Sequence, residues 1–180
     1  MPKTHAPGRD RYSAVAIVLH WLIAALIVFQ VIIAWRMHGR TPEGFALVQL
    51  HKSVGITILL LSLGRLAWRL GHRPPALPAA MPAWERRLAH LTHVALYVIM
   101  IGMPLTGWIM VSTSRIQVPT LLYGAIPWPH VPGLAQLADP AKAAWNSFGE
   151  TGHEALAWGA YVLIALHVAG ALKHQLFSRD

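Results

Sequence analysis

Residues 152–170 read GHEALAWGAYVLIALHVAG, an apolar run with a histidine near each end. His153 and His167 are separated by 14 positions. At about 100° per residue this spacing is about 40° short of four full turns, so both imidazoles share one face of a helix. At a rise of about 1.5 Å per residue they lie about 21 Å apart along the helix axis. Because the hydrocarbon core of a bilayer is about 30 Å thick, one helix would present a histidine near each edge of a membrane.

The composition of the whole chain indicates a membrane protein. Of its 180 residues, 55% are hydrophobic and only 12% are charged, whereas soluble domains have about 25% charged residues. The mean hydropathy is +0.45, and eight tryptophans fit the aromatic belts at the membrane interfaces. The chain has no cysteine, which excludes disulfides, iron–sulfur clusters, thiolate-bound haem and covalently attached c-type haem.

Four apolar runs are each long enough to cross a bilayer. We therefore predict an all-α integral membrane protein with a single domain over residues 1–180 and transmembrane helices at about 14–35, 45–70, 87–111 and 152–177. The first run is too long for the apolar region of a signal peptide and no cleavage motif follows it. A long connection rich in proline and glycine covers residues 112–151, and we expect a short interfacial helix over residues 134–148 within it. Pro104 and Gly107 predict a kink in the third helix.

The distribution of lysine and arginine predicts the orientation. The net charge of +8 comes from basic residues that flank the apolar runs, as topology determinants do, so we do not expect nucleic-acid binding. One side of the membrane carries Lys3, Arg9, Arg11, Arg65, Arg69, Arg73, Arg86, Arg87, Lys173 and Arg179, and the other carries Arg36, Arg40, Lys52, Arg115 and Lys142. Cytoplasmic segments carry the excess of such residues, so both termini are expected in the cytoplasm.

This topology sorts the membrane histidines by depth. His51 and His153 share the outer layer, and His20 and His167 share the inner layer. Neutral imidazole is a good ligand for haem iron, and coordination gives a reason for burying it. One histidine pair in each leaflet therefore predicts a bundle with two non-covalent b haems in its core, each bound by two histidines.

The spacing alone leaves alternatives open. His90 and His93 also lie in the inner layer, so either could replace His20. Buried histidines can also be structural or form a proton relay, as in a haem-free transporter. Small residues near the four positions, Ala24, Gly55, Gly159 and Gly170, suit either the edge of a porphyrin or close helix packing.

Several short motifs resemble the bacterial cytochrome b561 proteins. They are AIVLHWL at 16–22, LHKSVGI at 50–56, GRL at 64–66, LAHLTH at 88–93, LTGW at 105–108, GHE at 152–154 and LHVAGALKH at 166–174. The resemblance covers nearly the whole chain, apart from the 112–151 connection. It implies that His20 and His167 hold the cytoplasmic-side haem and that His51 and His153 hold the periplasmic-side haem. It assigns no role to His90 or His93.

The resemblance also implies an activity. In bacterial members, superoxide is oxidised to O2 at the periplasmic face of the inner membrane and ubiquinone is reduced. Lys52, Arg115 and Lys142 lie on the outer side and are candidates for a basic funnel that concentrates this small anion. The alternative is that they only anchor the protein to lipid headgroups. The alternative function is that of a haem b electron-transfer subunit, which links the quinone pool to a separate dehydrogenase or a periplasmic redox partner.

Overall fold

Four long helices dominate the computed structural model, which describes residues 12–37, 41–72, 74–75 and 81–178. The helices are α1 (Ala14–Arg36), α2 (Pro42–Gly71), α3 (Ala83–Thr113) and α4 (Ala141–Lys173), and α4 continues into one π-helical turn at His174–Ser178. By length and composition, all four could cross a membrane. Large apolar side chains such as Trp21 and Trp158 are exposed, which fits a surface that faces lipid. The predicted four-helix membrane bundle is confirmed.

Side-chain caps determine where the first two helices begin. Ser13 Oγ accepts a hydrogen bond from the Ala16 amide at 3.3 Å, and α1 begins at Ala14. Thr41 Oγ1 accepts from the Gly44 amide at 3.0 Å, and a proline occupies the first turn, so α2 begins at Pro42 rather than at residue 45. Both arrangements satisfy amide groups that have no partner inside the helix. Helix α3 has no side-chain cap, and it begins at Ala83, directly after a proline, rather than at residue 87.

The fourth helix begins at Ala141, so its predicted start at residue 152 is wrong. Gly149 and Gly152 lie inside this helix and allow α4 to approach α3 closely. A Cβ atom on Gly149 would lie 2.8 Å from Met110 Cγ, and one on Gly152 would lie 3.2 Å from Thr106 Cγ2. Packing of small residues against a neighbouring helix therefore overrides their weak helix propensity. The predicted interfacial helix over residues 134–148 is also wrong, because residues 134–140 are not helical and residues 141–148 are the first part of α4.

The connection between α3 and α4 contains an antiparallel hairpin that we did not predict. Strand β1 (Thr120–Leu122) pairs with β2 (Ile126–Trp128), with Thr120 opposite Trp128. The reversal places Tyr123 at a φ of +53° and Gly124 at +75°. Glycine adopts this left-handed backbone freely, whereas tyrosine needs support from its surroundings.

Contacts with α2 provide that support. The Tyr123 amide donates to Ser53 Oγ at 2.9 Å, and Tyr123 Oη lies 2.6 Å from Thr57 Oγ1. Ser53 is completely buried beneath the hairpin. We call this end of the bundle the hairpin end, and the opposite end, where α1 begins and α4 ends, the terminal end.

The helices pack in sequence order and leave one side open. Helix α1 packs on α2, α2 on α3, and α3 on α4. Among the described residues, no Cα atom of α4 lies within 8 Å of a Cα atom of α1 or α2. Side chains must therefore bridge the space between α4 and the first two helices.

Candidate functional site

Two histidine pairs face each other across this open space. At the hairpin end, the ring centres of His51 on α2 and His153 on α4 are 6.2 Å apart, with ring planes at 66°. At the terminal end, those of His20 on α1 and His167 on α4 are 6.1 Å apart, with planes at 80°. The structure thus brings His51 close to His153, as their depth suggested, and His20 close to His167, as the family resemblance implied.

The ring separations fit a shared metal ion. An imidazole nitrogen binds a metal at about 2 Å and lies about 1.1 Å from its own ring centre, so two imidazoles on opposite sides of one ion have centres about 6 Å apart. In residues 12–37, 41–72, 74–75 and 81–178, no group of three or more His, Asp or Glu residues could hold a metal ion. Each pair of imidazoles could supply two ligands to a metal ion, and a haem would bring the remaining ones with its porphyrin.

The ring of His153 is fixed by helix α3. Its Nδ1 lies 3.0 Å from the carbonyl oxygen of Met103 and 3.2 Å from Thr106 Oγ1. A carbonyl can only accept, so Nδ1 carries the proton and Nε2 carries the lone pair that could bind a metal. A Cβ atom on Gly107 would lie 3.3 Å from His153 Cε1. The absence of a side chain at Gly107 therefore makes room for the imidazole.

His51 has a different environment. Its Nδ1 is buried and has no hydrogen-bond partner among the described residues. Its backbone carbonyl accepts from Gln30 Nε2 at 2.9 Å, which links α1 to α2 at this level. Buried polar nitrogens are normally paired, so an uncommitted imidazole opposite His153 is consistent with a ligand-binding role.

The terminal end contains a third imidazole, which is half-buried like those of His20 and His167. The ring centre of His93 on α3 lies 5.5 Å from that of His167, with planes at 64°. His90, three positions earlier on the same helix, is exposed. The structure thus separates the two histidines that the spacing could not distinguish, since His93 alone lies beside the pair.

The three predicted basic residues lie at the hairpin end in different settings. Lys52 Nζ contacts the carbonyl oxygen of Pro119 at 3.5 Å, and Lys142 Nζ donates to that of Ala135 at 3.2 Å. Arg115 is exposed. Lys52 and Lys142 therefore contact two different parts of the connection.

Several residues that shape the site were not identified from the sequence. Pro104 and Gly107 were expected only to kink α3, and nothing in their pattern indicated contacts between Met103, Thr106 and His153. Among the small residues, a Cβ atom on Gly159 would lie 3.5 Å from Ile99 Cδ1, whereas one on Gly170 would meet no atom within 4 Å. A methyl group at Gly159 would therefore only reach ordinary van der Waals contact with α3.

Known proteins similar to this chain cover nearly its full length. The sequence profile of the prokaryotic cytochrome b561 family matches residues 11–180. Cytochrome b561 homolog 2 of Escherichia coli (strain K12) is 31% identical over 100% of this chain and 92% of its own length. Cytochrome b561 homolog 1 of the same organism is 28% identical over 95% of this chain and 93% of its own length. A protein named "Probable superoxide oxidase CybB" from Yersinia pestis is 31% identical over 94% of this chain and 92% of its own length.

The family match agrees with the architecture and with the paired imidazoles. Together they support a bacterial multi-pass membrane protein that binds b-type haem and transfers electrons. The chain belongs to the prokaryotic cytochrome b561 family.

Proposed function

We propose that the chain is a di-haem cytochrome that oxidises superoxide on one side of the inner membrane and reduces ubiquinone. The observation that carries the proposal is the arrangement of α4. Its two histidines lie close to their partners on α1 and α2. No Cα atom of α1 or α2, however, lies within 8 Å of a Cα atom of α4. Helices that pack directly leave no room for a flat cofactor, and α4 does not pack directly on α1 or α2.

His51 and His153 would hold one haem, and His20 and His167 the other. Haem supplies a reversible one-electron change at its iron. The open side of the bundle favours His20 over His93 as the partner of His167, because His93 approaches His167 from α3, which packs directly on α4. The Met103 carbonyl holds the His153 ring with its Nε2 free.

The hairpin end is suited to the capture of a small anion. Lys52, Arg115 and Lys142 bring positive charge there, and such charge raises the encounter rate of an anion. The likeness to the Yersinia pestis protein supports superoxide as that anion. Two superoxide ions each lose one electron and become O2, and these two electrons with two protons reduce one ubiquinone to ubiquinol.

The excess of lysine and arginine around the terminal end supports an orientation with the hairpin end in the periplasm. Of the residues counted for this purpose, Lys3, Arg9, Arg11, Arg40, Arg73 and Arg179 lie outside the described residues. A periplasm-active reporter enzyme fused to the C-terminus should be inactive, and an active fusion would reverse the assignment.

Pulse-generated superoxide tests the proposed reaction directly. The oxidised purified protein should be reduced at a rate close to the diffusion limit, and addition of a ubiquinone analogue should reoxidise it. Slow reduction by superoxide would reject the oxidase function. If a reduced dehydrogenase or a periplasmic redox protein then reduced the cytochrome rapidly, the chain would be an electron-transfer subunit instead.

A further inference from the structure

One turn of α3 forms a socket for the imidazole of His153. The Met103 carbonyl oxygen accepts from Thr106 Oγ1 at 2.8 Å and from His153 Nδ1 at 3.0 Å. Thr106 Oγ1 also lies 3.2 Å from His153 Nδ1, and only 9% of Thr106 is exposed. Three polar groups therefore meet in a largely buried place, where hydrogen bonds are strong.

The direction of each hydrogen bond follows from the chemistry of the groups. The hydroxyl of Thr106 donates its proton to Met103, so its lone pairs remain available for His153. The Nδ1 proton of His153 is thus shared between two acceptors, the Met103 carbonyl and the Thr106 hydroxyl. An acceptor on this nitrogen makes the opposite nitrogen a stronger electron donor.

The other three paired histidines have no such support. Among the described residues, the imidazoles of His20, His51 and His167 make no hydrogen bond, and the buried Nδ1 of His51 lacks a partner. The anchoring contacts are therefore specific to one of the two sites. When a histidine binds a metal through one ring nitrogen, the hydrogen bond made by its other ring nitrogen is a known means of tuning that metal centre.

We propose that Thr106 is a positioning residue that lowers the midpoint potential of the hairpin-end haem through the Nδ1 proton of His153. This inference rests on the proposed role of His153 as a haem ligand. A stronger imidazole donor stabilises the ferric form more than the ferrous form, so the Thr106 hydroxyl makes this haem harder to reduce. The Thr106 hydroxyl thus lowers the midpoint potential of the hairpin-end haem relative to its value without the hydroxyl, and the described residues offer no such contact to the histidines at the terminal end.

The test compares Thr106→Val, which removes the hydroxyl at nearly constant shape, with Thr106→Ser, which keeps it. Thr113→Val serves as the matched control, because Thr113 is also buried on α3 and donates to a backbone carbonyl, that of Ile109, at 2.8 Å. Spectroelectrochemical titration would follow the haem that His153→Ala removes, and the low-spin ferric EPR signal would report on its axial histidine.

Thr106→Val should shift the ferric–ferrous equilibrium of this haem toward the ferrous form by about threefold, the effect of one neutral hydrogen bond shared between two acceptors. For a one-electron couple this equals a rise of about 30 mV. Thr106→Ser and Thr113→Val should retain the original potential and EPR signal. Loss of the haem in Thr106→Val but not in Thr106→Ser would also support the positioning role.

Two results would overturn the inference. One is an unchanged potential and EPR signal in Thr106→Val. The other is the same change in Thr106→Val and Thr106→Ser, since that would assign the effect to packing rather than to the hydroxyl. Retention of both haems in His153→Ala would instead reject the proposed ligand, so the two failures can be told apart.

Discussion

Replacing Gly107 with alanine should disturb the hairpin-end haem selectively. The new Cβ atom would lie 3.3 Å from His153 Cε1 and 3.5 Å from His153 Nδ1. Carbon atoms in optimal contact are about 3.5–4.0 Å apart, so the imidazole would have to move by about 0.2–0.7 Å. It cannot do so freely, because its Nδ1 is held 3.0 Å from the Met103 carbonyl.

Gly102→Ala is the matched control on the same helix. Its Cβ atom would also approach a side chain of α4 to 3.3 Å, but the atom it meets is Leu156 Cδ1. The end of a leucine side chain moves at little cost, whereas the imidazole is fixed at one nitrogen and would bind a metal at the other. Both substitutions make the same change in helix propensity, so the comparison isolates the pressure on His153.

A forced displacement of a side chain costs about 0.5–1.5 kcal/mol. If this strain acts on one oxidation state only, it corresponds to at most about 20–65 mV for a one-electron couple. Because a displaced imidazole is a weaker donor to the ferric form, we expect the midpoint potential of the hairpin-end haem to rise in Gly107→Ala. The measurement is a spectroelectrochemical titration, with the haem identified by its loss in His153→Ala. Equal titrations of Gly107→Ala and Gly102→Ala would refute the reasoning.

Three further results are expected. Gly149→Ala should destabilise the protein by about 1–3 kcal/mol through overpacking against Met110, whereas Gly170→Ala should not. The measurement is thermal unfolding in detergent, followed by the haem absorbance. Equal melting temperatures of the two variants would contradict the packing account. His20→Ala should lose the terminal-end haem and His93→Ala should keep both haems, and the reverse pattern would make His93 the ligand. Neutralising the three basic residues at the hairpin end, by Lys52→Gln, Arg115→Gln and Lys142→Gln, should slow the reduction of the protein by superoxide at least tenfold at low salt. It should also weaken the dependence of this rate on ionic strength. An unchanged rate would make the three residues headgroup anchors.

The sequence was most informative where the signal depends on spacing along one helix. The 14-position separation of His153 and His167 and the length of the apolar runs need no knowledge of the tertiary structure. Depth then paired His51 with His153. In the inner layer, depth left His20, His90 and His93 as alternatives, and only the resemblance to the cytochrome b561 proteins implied His20.

Other features could not be predicted because they arise from contacts between distant residues. Gly149 and Gly152 resemble a break in a helix until α3 is placed against them. The hairpin at residues 120–128 is short, and its support comes from Ser53 and Thr57 on α2, far away in the sequence. The socket around His153 depends on a backbone carbonyl, which has no signature in the sequence.

The amount of haem bound per chain tests the central claim most directly. Pyridine haemochrome analysis of the purified protein, combined with a quantitative protein assay, should give two b haems per chain, and His153→Ala should reduce this to one. A value of one haem or fewer in the unsubstituted protein, or two haems retained in His153→Ala, would contradict the assignment of the two histidine pairs as haem sites.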